Sequence, residues 1–216
     1  GQTYSVSARG RIPMRGLRAG HDEMLDVYDQ IDLTVSLDHA DLSLLPIFSP
    51  HIEWALGPTE GNLKISGTLA APRIHGSLQL TGGALKLKPI ETPITEMQMQ
   101  IDALGDAIIV RSCSGKMGTG GYLLTGRMGL DGVQPTGYDF TLVMNELGIK
   151  CSFFDGSISG SLQLSEDVYW GEKLPKIAGT VDLETALVSV PTIPDTEDEL
   201  PHIIMDIGLT VGRHVH

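Results

Sequence analysis

Positive charge is what this chain most lacks. Fifteen Lys and Arg stand against 27 Asp and Glu, a formal net charge of −12. Such a surface repels phosphate backbones, which argues against nucleic-acid binding, and it disfavours docking of a polybasic patch on anionic headgroups. Aromatic residues are scarce, at 5%. Cysteine is nearly absent. Cys113 and Cys151 stand in neither a CxxC nor a Cys/His spacing, which argues against zinc and leaves two buried thiols or, in an oxidising compartment, a disulfide. No apolar run approaches the ~20 residues that span a bilayer. There is no signal-peptide pattern, the first residue is Gly1, and the last residues follow an alternating segment. We therefore expect a piece of a longer protein, with any anchor or export signal lying elsewhere.

Catalytic motifs are missing too. There is no HExxH and no GxxxxGK[ST]. In Gly118-Thr119-Gly120-Gly121-Tyr122-Leu123 the last glycine of GxGxxG is replaced by Leu123, and in Gly156-Ser157-Ile158-Ser159-Gly160 Ile158 occupies the nucleophile position of GxSxG. The seven histidines are scattered among polar and loop positions and read as surface residues. The residues point to no enzyme, no metal and no cofactor.

What is present in excess is glycine, 26 residues, roughly 12% against a usual ~7%, together with period-two alternation. Ile31, Leu33, Val35 and Leu37 alternate with polar residues, as do Leu63, Ile65 and Leu69. The same holds for Ile74, Leu78 and Leu80; Leu85 and Leu87; Met97, Met99 and Ile101; and Tyr122, Leu124 and Met128. Tyr138, Phe140, Leu142 and Met144 follow, then Ile158, Leu162 and Leu164, Val181 and Leu183, and a final run over 203–211 that includes Ile207 and Leu209. Each segment has one apolar and one polar face. Turn signals at Ala71-Pro72, Thr81-Gly82-Gly83, Leu104-Gly105-Asp106 and Asp131-Gly132 make most connections hairpins. The prediction is one all-β unit over 1–216: a mostly antiparallel, amphipathic sheet with all apolar faces on one side.

Three stretches break the alternation. Residues 41–57 space their apolar positions nearer to a helix, with Pro46 and Pro50 limiting it to one or two short turns. Residues 17–30 read as loop or short helix. Residues 191–201, with Pro191, Pro194, Pro201 and an acidic run, read as a solvated loop.

The pentapeptide GSLQL occurs twice, at Gly76–Leu80 and Gly160–Leu164, each two residues after an isoleucine. Looser copies centre on Gly67, Gly126 and Gly179. In all five the glycine shares the parity of the apolar residues and faces inward. Glycine there either bends the sheet or leaves a notch on the apolar face, and both combine in a strongly curved sheet folded over a narrow apolar trough. The intervals between copies are irregular, which argues against the fixed period of a parallel β-helix.

The ordered succession G-x-L-x-I-x-G-T-L-x-x-P-x-I-x-G-x-L-x-L-x-x-G over 61–83, preceded by the segment at 41–57 and echoed near Gly160 and Gly179, resembles the C-terminal region of TamB proteins of diderm bacteria. These belong to the AsmA-like group of bridge-like lipid transporters. The resemblance implies a β-taco fold and a long periplasmic protein anchored in the inner membrane. It also implies a partner, an outer-membrane barrel protein of the assembly-factor class. Family members are linked to outer-membrane protein assembly and to phospholipid movement between the membranes.

On that reading the twenty-four apolar residues from Leu63 to Leu209 named above within the strands, apart from Ile31, Leu33, Val35, Leu37 and Tyr138, would contact phospholipid acyl chains. Met97, Met99, Met128, Met144 and Met205 would adapt to irregular guests. Two other classes fit the same alternation: a chaperone that adds strands of barrel proteins to its edges, and a β-sandwich spacer. Exposed edges would also invite self-association of the fragment.

Overall fold

The computed structural model describes residues 5–12, 30–68, 71–132, 134–189 and 202–215. Its strands are β1 (Ser5–Arg11), β2 (Gln30–Asp41), β3 (Ile52–Leu56), β4 (Pro58–Thr68), β5 (Pro72–Leu87), β6 (Ile94–Gly105), β7 (Ala107–Met117), β8 (Gly120–Asp131), β9 (Gln134–Lys150), β10 (Phe154–Tyr169), β11 (Glu172–Val188) and β12 (Ile204–Val215). They form one 12-stranded sheet in the order β1-β2-β4-β5-β6-β7-β8-β9-β10-β11-β12, with β3 paired to β5 beyond the end of β4. The sheet is not closed into a barrel: β1 and β12 are its two edges.

The order follows the chain because the connections between β4 and β11 are short. Sequential strands joined by tight turns pair antiparallel with their neighbours. The turns at Gly105-Asp106 and Gly132 stand where the sequence places them. The last pairing departs from the pattern, since β12 runs parallel to β11. A parallel neighbour needs a crossover rather than a hairpin, and the long connection 190–201 lies outside the described residues, as do residues 17–29 and Leu69.

Two local readings are corrected. Thr81-Gly82-Gly83 does not turn the chain: β5 runs through it to Leu87. The tandem glycines are spent on a bulge, visible as register shifts against β6 between Thr81, Gly83 and Leu85. A bulge adds a residue without ending the strand. Residues 41–57 are helical only in their first half, as a 3-10 turn at Leu42–Leu44 and a single α-turn, α1, at Leu45–Phe48. Asp41 caps it, its carboxylate accepting from the Ser43 N–H at 2.7 Å. Pro50 then ends the helix, and Ile52 to Leu56 pair as β3 against Leu87 to Ala84, with a register shift at Glu53.

Candidate functional site: an apolar face running across every strand

The register aligns apolar residues of successive strands into rows perpendicular to the chain direction. One row contains Val6, Leu37, Gly61, Leu78, Ile101, Val110, Gly126, Phe140, Leu164, Ile177 and Met205, one residue from each strand of the main path. Not one is polar. Ten inter-strand steps of ~4.8 Å make such a row about 48 Å long.

A second row runs beside it through Ala40, Thr59, Leu80, Met99, Cys113, Leu124, Leu142, Leu162, Gly179 and Ile207. On the far side of the first lie Leu63, Gly76, Ala103, Ile108, Met128 and Tyr138, and beyond them Ile65 opposite Ile74. On the near side of the second lie Tyr122, Met144, Gly160, Val181 and Leu209. Ile158 opposite Leu183, Leu85 opposite Ile94, Met97 opposite Gly83, and Leu87 opposite Ile52 extend the same face. The register thus sets the alternating apolar residues of neighbouring strands opposite one another. The opposite face carries the cross-strand ion pairs Lys64–Asp32 at 3.8 Å and Arg111–Asp102 at 2.7 Å.

Sequence alternation missed several members. Ala40, Cys113 and Leu147 lie past register shifts in β2, β7 and the β9–β10 pairing. A bulge changes the parity of every later residue, so a strict period-two reading skips them. Cys113 and Cys151 are both free thiols. Burial pushes the Cys113 thiol up; its Sγ lies 3.9 Å from the Tyr122 hydroxyl. The Tyr122 phenol is pushed up as well, first by burial and then by the Cys113 charge, so both groups stay neutral and suit an apolar wall.

The inward glycines are required by close approach. At Gly76 φ is +140°, and an added Cβ would run into the Asn62 carbonyl oxygen and stand 3.0 Å from Leu63 Cα. At Gly160 φ is +142°, and a Cβ would strike the Thr180 carbonyl oxygen. Both GSLQL copies thus use glycine for the same backbone conformation, one that L side chains avoid. Gly67, Gly126 and Gly179 also have positive φ.

Coverage of the face is uneven. Within β5 to β9 it holds the buried residues Leu80 (2% exposed), Met97 (6%) and Met144 (5%), while Leu78, Ile101, Val110 and Phe140 of the first row are half-buried. Leu42 packs on the Leu80, Met97 and Cys113 cluster, and Ile90, from the β5–β6 loop, packs on Met117, Met144 and Leu147. That loop is tied down where the Glu91 N–H donates to the Lys150 carbonyl at 2.6 Å and the Glu91 carboxylate meets Lys150 Nζ at 3.2 Å. Toward β12 the face opens, with Leu164 37%, Leu209 60% and Met205 68% exposed. Between the two regimes lies an open hollow of about 430 Å³ lined by Leu124, Phe140, Leu142, Leu162, Leu164 and Ile177. It has no polar lining residue.

Among the described residues no three His, Cys, Asp or Glu side chains are grouped to hold a metal ion, and no helix is long and apolar enough to cross a membrane. No family model matches the chain, and no solved structure matches it. It is similar to the protein SUBSTANDARD STARCH GRAIN 4, chloroplastic, of Oryza sativa subsp. japonica, at 19% identity over 171 residues. That alignment takes in 75% of this chain and 8% of the rice protein, so the chain spans a small part of that protein's length.

Proposed function

We propose that this chain is a segment of a periplasmic lipid conduit of the TamB type, carried by an inner-membrane-anchored protein. Its apolar face would guide phospholipid acyl chains between the inner and outer membranes in support of outer-membrane biogenesis. The observation that carries the reading is the uninterrupted apolar row across all eleven strands of the main path. A closed core needs a compact patch; a row that repeats strand after strand and is exposed at both edges, Val6 at 59% and Met205 at 68%, suits a path. The sheet is proposed to curl along this row into a trough, bending at Gly67, Gly76, Gly126, Gly160 and Gly179.

The energetics are reasonable. Covering a methylene is worth ~0.8 kcal/mol, so a chain of about 16 carbons needs on the order of 10 kcal/mol of apolar contact in transit. A wall of uniform chemistry supplies this at every position and lets the chain slide without a deep trap. Headgroups would stay at the open side in water. The full-length protein would dock on an outer-membrane barrel protein of the assembly-factor class.

The test is Leu162→Arg in the hollow, read by lipid crosslinking and by phospholipid transfer between membranes. The reading expects a folded protein with both signals lost; a folded variant that crosslinks and transfers like the parent sinks it. A second reading, a chaperone adding strands of barrel proteins, draws on the two sheet edges β1 and β12. Crosslinks from Ser7 or Thr210 to a nascent barrel protein, with none from the face to lipid, would favour it. The rice protein's name speaks of chloroplast and starch grains; at that identity and coverage neither is carried over.

A further inference from the structure

The hairpin joining β10 to β11 continues past its ladders with β9 and β12. The β9–β10 pairing ends at Asp139 and Ser165, and the β11–β12 pairing ends at Lys176 and Ile204. Beyond them Glu166, Asp167, Val168 and Tyr169 pair, among the described residues, only with Pro175, Leu174, Lys173 and Glu172. These rungs make a ribbon that has no ladder to β9, although the start of β9 runs beside its base, where a Cβ on Gly137 would stand 3.7 Å from the Glu166 carboxylate.

At its tip the two-residue loop is Trp170-Gly171, with φ +54° and +85°. Positive φ at both positions is the tight hairpin geometry that favours Asn-Gly and is unfavourable for a bulky side chain. Tryptophan in the first position breaks the local rule. It gains no burial in return, being 89% exposed, and its neighbours Val168 and Tyr169 are 63% and 58% exposed. Its ring meets that of Tyr169, at 6.1 Å between centroids. A strained backbone that presents a large exposed side chain points to a role outside the fold.

The charge around the tip is nearly balanced: over 166–176, Glu166, Asp167 and Glu172 face Lys173 and Lys176, a net of −1. Glu166 pairs with Lys173 at 4.0 Å and Asp167 with Lys176 at 2.8 Å. An amphipathic Trp-Tyr pair on a nearly neutral support fits the interface of a zwitterionic bilayer, where indole and phenol groups sit at headgroup level. We propose that the β10–β11 tip is a membrane-contact point that inserts Trp170 into the headgroup region of a phospholipid surface. This goes beyond the conduit reading and stands without it.

The test uses flotation with phosphatidylcholine vesicles and the emission of Trp170 in a Trp54→Phe chain, where it is the sole tryptophan. The expected result is a blue-shifted emission, quenched by lipids brominated near the headgroup, and at least tenfold less flotation for Trp170→Asn. Asparagine suits the turn, so Trp170→Asn should unfold as cooperatively as the parent. That comparison needs no change at Trp54. Equal flotation of parent and Trp170→Asn overturns the proposal, as does a Trp170 that stays accessible to acrylamide with vesicles present, the result expected if the tip instead fits a protein pocket. Leu162→Arg should leave the Trp170 quenching unchanged, which separates failure of the tip from failure of the conduit.

Discussion

Truncating Leu80 and Leu164 separates a sealed core from an open wall on the same face of one sheet. Leu80 is 2% exposed and packs against Met97 and Cys113. Leu80→Ala removes buried methyl groups and leaves a hole under Leu42, so transfer and cavity terms add to about 3–4 kcal/mol. Leu164 is 37% exposed and borders the hollow. Leu164→Ala enlarges a space already open to water, so no sealed cavity forms, and the partial loss of contact is worth ~1 kcal/mol. The assay is urea unfolding followed by far-ultraviolet circular dichroism, with the slope checked for constancy. A difference of at least ~2 kcal/mol between the two variants is expected from these terms. Equal costs would refute the reasoning, because the face would then be uniformly closed or uniformly open.

Gly76→Ala should cost more than ~2 kcal/mol by the same unfolding assay, since strained φ and a clash with the Asn62 carbonyl act together. Trp170→Asn should raise stability by about 0.5–1 kcal/mol by relieving the left-handed conformation at the hairpin tip; a loss would contradict the strain argument. Stability should fall as pH rises past about 9. Cys113 and Tyr122 have pKa values raised above 9.0 and 10.0 in the fold, so the unfolded chain releases these protons first and is favoured. The contribution is complete below the unfolded values and is lost as pH climbs toward the raised ones. Tyr122→Phe should flatten that fall between pH 9 and 11, as read by unfolding midpoints across the range.

The alternation made the all-β class and most of the apolar face readable in advance, because side-chain parity is a local property of an extended chain. Leu78, Ile101, Phe140 and Leu164 announce their side from their neighbours alone. That they fall in one row is a matter of register, which hairpin turns and bulges set together. The bulges explain the misses: Cys113 and Leu147 lie past register shifts, and Gly82-Gly83 resembles a turn when only the identities are visible. The covering role of Ile90 was also hidden, because the β5–β6 loop reaches over to Lys150 through a tertiary hydrogen bond. Trp170 carried no signal in sequence beyond Trp-Gly; its strain and exposure come from the two-residue loop between rungs.

The central claim is that the row is a path for acyl chains, and a photo-crosslink scan with radiolabelled phospholipid tests it most directly. Probes at Leu78, Ile101, Phe140 and Leu164 would sample the apolar row, and probes at Ser77, Asp102, Asp139 and Ser165 the neighbouring positions on the opposite face. The account predicts labelled lipid at all four inward positions and at none of the outward ones. Labelling confined to Leu164 beside the open hollow, or equal on both faces, would contradict it.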